Sequence, residues 1–116
     1  INDDGLWNIN LIGLCVEDNR KITNIIHMTN LEKLNANGQC AISDDGLKGV
    51  NLIVLEADDN SKITNVNHMT KLRRLVASGI CGIDAEFDCG ISDNGINVND
   101  SIIVFSEYNS KITESL

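Results

Sequence analysis

The sequence predicts a solenoid, a chain wound into stacked coils, and three observations carry that prediction. The stretch Lys21 to Gly38 (KITNIIHMTNLEKLNANG) returns 41 residues later as Lys62 to Gly79 (KITNVNHMTKLRRLVASG). Within that unit a shorter motif, Leu-x-x-Leu-x-small, starts at Leu11, Leu31, Leu52 and Leu72, at spacings of 20, 21 and 20. An isoleucine follows every motif at one offset: Ile22, Ile42, Ile63 and Ile83. A unit this short cannot bury its own apolar side, so regular recurrence implies stacking. Two coil types therefore alternate along one solenoid.

Composition fits a thin core. The chain has 116 residues, room for one domain, and only four aromatics: Trp7, Phe87, Phe105 and Tyr108. Its apolar content is Leu, Ile and Val at fixed intervals. The net charge of −8 argues against a general nucleic-acid binder, which needs a basic footprint. No segment approaches the roughly 20 apolar residues of a membrane span, so no membrane insertion is expected.

The four cysteines, Cys15, Cys40, Cys81 and Cys89, form no Cys-x-x-Cys pair. Free buried thiols are the expected state and point to a reducing compartment, cytoplasmic or virion-associated. A local Cys81–Cys89 disulfide is the alternative. A cell-surface location follows if a leader precedes Ile1.

The coils have a family likeness. Leu31-Glu32-Lys33-Leu34-Asn35-Ala36 and Leu72-Arg73-Arg74-Leu75-Val76-Ala77 open a pattern that resembles the leucine-rich repeat, over nearly the whole chain. The run Cys40-Ala41-Ile42-Ser43-Asp44-Asp45-Gly46-Leu47 is similar to the cysteine-containing subtype. The run Ile22 to Leu31 is similar to the internalin-like subtype. Their alternation is similar to tandem repeats carried by amoebae and their giant DNA viruses. The resemblance implies an α/β solenoid with a parallel concave β-sheet, one short strand per coil. Residues 1–116 then form a single domain of about five coils of 20–21 residues each.

Side-chain alternation along each strand sets the facing. Leu14, Leu34, Leu55 and Leu75 point inward, with Val16, Ala36, Ala57 and Ala77 two residues on. Gly13 and Cys15, Lys33 and Asn35, Val54 and Glu56, Arg74 and Val76 face outward. The convex side has room only for short 3₁₀ or helical turns. Ser43-Asp44-Asp45-Gly46 reads as a single turn with Ser43 as N-cap; Asn24 to Met28 reads as 3₁₀ or extended.

Two places break the period. An inserted loop of eight residues lies near 82–90, where Cys-Gly-Ile occurs twice. The last strand, Ile102 to Ser106, keeps Val104 in register and turns Ile103 and Phe105 outward. Ile1 to Leu6 matches Ile42 to Leu47, the middle of a coil, and Ile112 to Leu116 matches the start of one. Neither end reads as a cap, so the chain is expected to be an excerpt of a longer array or to have its ends covered by neighbours.

Each candidate site has a plain structural role beside the functional one. His27 and His68 occupy equivalent places too far apart to share a metal, and a backbone hydrogen bond is their expected role. Asn19, Asn60 and Asn109 sit where a buried amide satisfies turn backbone. Asp84, Glu86 and Asp88 superficially resemble a calcium loop, but Cys89 and Gly95 stand where glycine and a carboxylate are needed. Glu17, Asp18, Asp58, Asp59 and Glu107 recur at one rim near Lys21, Lys62 and Lys111, which reads as solvation. Asn99-Asp100-Ser101 fits a glycosylation sequon, a match of three residues only.

No catalytic constellation, metal site or cofactor motif is present, so the expected function is a non-enzymatic protein–protein interaction module. Its candidate binding surface is Val54, Glu56, Arg74, Val76, Ile103 and Phe105. The partner is a protein or the chain itself, through end-to-end or edge contacts, and not nucleic acid. The alternative is a structural, self-assembling repeat protein of a filament, virion or cell surface.

Overall fold

The computed structural model describes residues 3–6, 9–79 and 103–105. Five strands of three residues each make one parallel sheet: β1 (Gly13–Cys15), β2 (Lys33–Asn35), β3 (Val54–Glu56), β4 (Arg74–Val76) and β5 (Ile103–Phe105). Their order in the sheet is their order in the chain. This is a β-solenoid of about three turns with few helices. Helical structure among the described residues is limited to α1 (Asp3–Leu6) and a 3₁₀ turn over Asp45–Leu47. The expected α/β character thus reduces to a parallel sheet with short convex turns. Coils of 20 or 21 residues leave no length for a longer helix.

Register follows the leucines. Leu14 pairs with Leu34, Leu34 with Leu55, Leu55 with Leu75, and Leu75 with Val104. The last pairing holds across the 29 residues from Leu75 to Val104, so the extra length is absorbed outside the strands. Backbone bonds repeat from coil to coil. Ile12 O accepts Glu32 N and Lys33 N at 2.8 and 3.1 Å, and Glu32 O accepts Ile53 N and Val54 N at 2.8 and 3.0 Å. At the other strand end, Ala36 N donates to Glu56 O at 2.8 Å and Ala57 N to Val76 O at 2.7 Å.

Inside, Leu34, Leu55 and Leu75 stack on Ala36, Ala57 and Ala77, all buried, and Ile22, Ile42 and Ile63 close the far side. The coil types differ in how they fill the convex side: Ile25, Met28 and their repeats Val66 and Met69 in one, Leu47 and Val50 in the other. Burying each such side chain contributes about 1.5–3 kcal/mol.

Strands are short because the chain must turn directly after them. Asp18 and Asp59 lie in the left-handed region at φ 56° and 57°, and Gly38 takes the same place at φ 76°. Asp tolerates this conformation better than most residues, and Gly adopts it without steric cost. Gly38 is also tightly fitted, since a Cβ there would come 2.1 Å from Asp18 Oδ1.

Ser43 is not the N-cap of the convex turn. Asp44 holds that position, with no side-chain cap bond. Its carboxylate instead serves the next coil, accepting Thr64 N at 2.7 Å, Asn65 N at 3.2 Å and the Thr64 hydroxyl. Asp3 repeats the arrangement on Thr23 N at 2.8 Å and Asn24 N at 3.2 Å.

Candidate functional site

Alternation within three-residue strands leaves two outward positions per strand, and parallel register turns them into two rows. Val54, Arg74 and Ile103 stand side by side in one row; Glu56, Val76 and Phe105 stand side by side in the other. All six sequence-predicted surface residues therefore meet on three adjacent strands. Ile103 and Phe105 are 60 % and 46 % exposed. Arg74 is exposed, and Val54, Glu56 and Val76 are half-buried.

One contact orders this face. Arg74 Cζ lies 4.9 Å from the centre of the Phe105 ring, diagonally across β4 and β5. Such a cation–π contact contributes about 0.5–1 kcal/mol at an exposed site. It also places a planar five-donor cation against an apolar surface.

Sequence reasoning did not single out the other half of the sheet. There Gly13, Cys15, Lys33, Asn35, Val54 and Glu56 line a shallow hollow. Gly13 opens it, since a Cβ there would meet nothing within 4 Å. Cys15 is exposed, as its outward position predicts; Cys40 is buried. Cys40 Sγ donates to Ala36 O at 3.3 Å, and burial pushes its thiol up from the ordinary value.

The rim acids, expected to be simply solvated, have backbone and amide partners in the neighbouring coil. Glu17 Oε1 accepts Asn37 Nδ2 at 3.2 Å, Asp18 Oδ1 accepts Gln39 N at 3.0 Å, and Asp58 Oδ1 accepts Ser78 N at 2.7 Å. Lys62 Nζ donates to Cys40 O at 3.1 Å. The result is a hydrogen-bonded ladder from coil to coil, continued by Asp58 N donating to Asn37 Oδ1 at 2.7 Å. Burial first, and after it the charges of Asp59 and Glu17, push the Asp58 carboxyl up; the Ser78 bond opposes them.

His27 and His68 do bond backbone. Each Nε2–H donates to a carbonyl of the preceding coil, Leu6 O at 2.7 Å and Leu47 O at 2.9 Å. Asn60 is the buried amide: Nδ2 donates to Ala36 O at 2.8 Å and Ile42 O at 3.3 Å, while Oδ1 accepts Lys62 N at 2.8 Å. Asn19 keeps the bond to Lys21 N at 2.8 Å but is only half-buried.

Among the described residues, no three His, Cys, Asp or Glu side chains converge as a metal site, and no helix is long and apolar enough to cross a membrane. The inserted loop with Asp84, Glu86 and Asp88 lies outside the described residues, as do Cys81, Cys89, Asn99, Glu107, Asn109, Lys111 and the two chain ends. No family model, curated protein or solved structure matches this chain.

Proposed function

We propose that this chain is an interaction module of leucine-rich-repeat type, without catalysis or cofactor, that binds a protein through the outward face of its sheet. The carrying observation is the juxtaposition of exposed Ile103 and Phe105 with Val54 and Val76, interspersed with Arg74 and Glu56, on adjacent strands. Apolar groups gathered in one place mark interaction surfaces, and a mixture of apolar and charged groups suits a selective protein interface. Parallel pairing of β3 with β4 and of β4 with β5 holds these side chains in fixed relative positions. The likeness of the coil motifs to leucine-rich repeats supports the same reading.

The test compares protein capture by the wild-type chain and by V76D/F105D. Both substitutions are on outward positions, so the fold is expected to persist. Partners held by the wild type and lost by the variant support the reading; capture that is indifferent to both substitutions sinks it.

A further inference from the structure

We propose that this face takes a second copy of the chain, packed sheet to sheet about a two-fold axis that runs along the stack of coils. The proposal rests on the reading of this face as an interaction surface, and adds the identity of the partner.

Charge is distributed unevenly along the strand direction. Where β4 begins, Lys71, Arg73 and Arg74 are all exposed cations. Where β3 ends, Glu56, Asp58 and Asp59 are all acids. Val54 and Ile103 share the row of Arg74, and Val76 and Phe105 share the row of Glu56. Glu32 beside Lys33 is an exception at the start of β2. A partner of one sign would meet repulsion at one edge. A face with cations at one edge and acids at the other is complementary to itself once its strand direction is reversed.

The two-fold axis along the coils does this. It keeps each coil opposite its own counterpart and turns strand starts toward strand ends, the isologous arrangement of symmetric dimers. Arg74 then faces the end of the partner's β4, and the partner's Glu56 lies one coil to the side, about 4.8 Å away. That offset is within the reach of an arginine side chain. At β5 the same operation sets Ile103 against the partner's Phe105, and Phe105 against the partner's Ile103, closing the apolar contact. The acid edge gains as well, because Asp58 sits among like charges within a single copy. The charge of −8 on each copy opposes approach, but physiological salt screens it beyond about 8 Å. Close pairs decide the outcome.

The experiment is sedimentation of the 116-residue chain at physiological ionic strength, with circular dichroism verifying the fold of each variant. The wild type is expected to form dimers. R74E and E56R should each weaken dimerisation by about tenfold or more, since each sets like charges face to face. An equimolar mixture of the two variants should recover dimers, because each copy then offers the sign the other needs at both contacts. A variant-free measurement runs beside it: carbodiimide crosslinking of mixed unlabelled and heavy-nitrogen-labelled wild type, with Lys71 expected to join Glu56, Asp58 or Asp59 of the other isotope. A monomeric wild type, dimers unaffected by either substitution, a mixture that stays monomeric, or crosslinks confined to one isotope would each overturn the proposal. A monomer that still captures another protein, and loses it in V76D/F105D, removes the self-partner and leaves the interaction module standing.

Discussion

The Asp44 carboxylate accepts the backbone N–H of Thr64 at 2.7 Å, one coil further along the chain. The same oxygen takes Asn65 N, and the other takes the Thr64 hydroxyl. Three donors of one coil thus depend on one acid of another. Hydrogen bonds to a charged group are worth about 1.5–3 kcal/mol each when one partner is removed. Asp44→Ala is expected to destabilise the chain by at least about 2 kcal/mol, with Asp44→Asn, which keeps one acceptor oxygen, falling between. Denaturant midpoints at constant slope measure it.

Gly46 marks a close approach of two coils on the convex side. A Cβ there would lie 2.4 Å from Thr23 O, a backbone atom that cannot step aside without moving its coil. Overpacking of this kind costs about 1–3 kcal/mol, so Gly46→Ala should lower the melting temperature clearly. Gly13→Ala is the control, because nothing lies within 4 Å of a Cβ at that place. It should leave the melt unchanged and fill part of the hollow on the sheet.

Asn60 is 1 % exposed and is the only buried polar side chain among the described residues. Its amide serves Ala36 O and Ile42 O, and its carbonyl serves Lys62 N and Ile63 N. Asn60→Ala leaves several backbone groups without partners, at about 1–3 kcal/mol for each one that water cannot reach. The expected result is a chain that is marginally folded or unfolded at room temperature. Asn19→Ala, at the half-buried equivalent, should be milder. Hydrogen exchange at Lys62 and Ile63 should rise in the first variant.

Asp58 and Asp3 give opposite pH dependences. Burial, reinforced by Asp59 and Glu17, raises the Asp58 carboxyl above its ordinary 3.8. The folded chain then holds this proton more tightly than the unfolded chain does. Stability falls as pH rises from 3.8 to the raised value, and the deficit persists above it. Asp58→Asn keeps the oxygen that accepts Ser78 N and removes the charge. It should melt higher than wild type at neutral pH, with the gain vanishing below 3.8. Asp3 is lowered, first by the Thr23 hydroxyl bond, so its contribution is present above 3.8 and lost as pH falls through the lowered value. Asp3→Asn should therefore blunt the acid destabilisation that Asp58→Asn leaves intact. Thermal melts of both variants across the acid range read the two signs.

Much of the sheet was written in the spacing of the leucines. A period of 20 or 21 residues, with Leu14, Leu34, Leu55 and Leu75 at one place in it, left a single register that turns all of them inward, because a slip by one residue would turn every inward leucine outward. Leu34, Leu55 and Leu75 are buried and Leu14, on the first strand, is half-buried. Val104 and the outward Ile103 and Phe105 followed by the same rule, despite the longer span before them. The six candidate surface residues needed only that alternation to be found.

Spacing could not say which polar atom meets which. Ser43 looked like the cap of its own turn because capping is a local rule, but Asp44 stands there and reaches across to Thr64. The rim acids read as a solvated edge, yet Asp18 and Asp58 bind the N–H groups of Gln39 and Ser78. Arg74 over Phe105 joins residues 31 apart in the chain. Apolar burial is non-directional and depends on which way a residue faces, so periodicity determines it. Hydrogen bonds and ring contacts depend on distances of a few tenths of an ångström between coils, and only the stacked structure brings those atoms within reach.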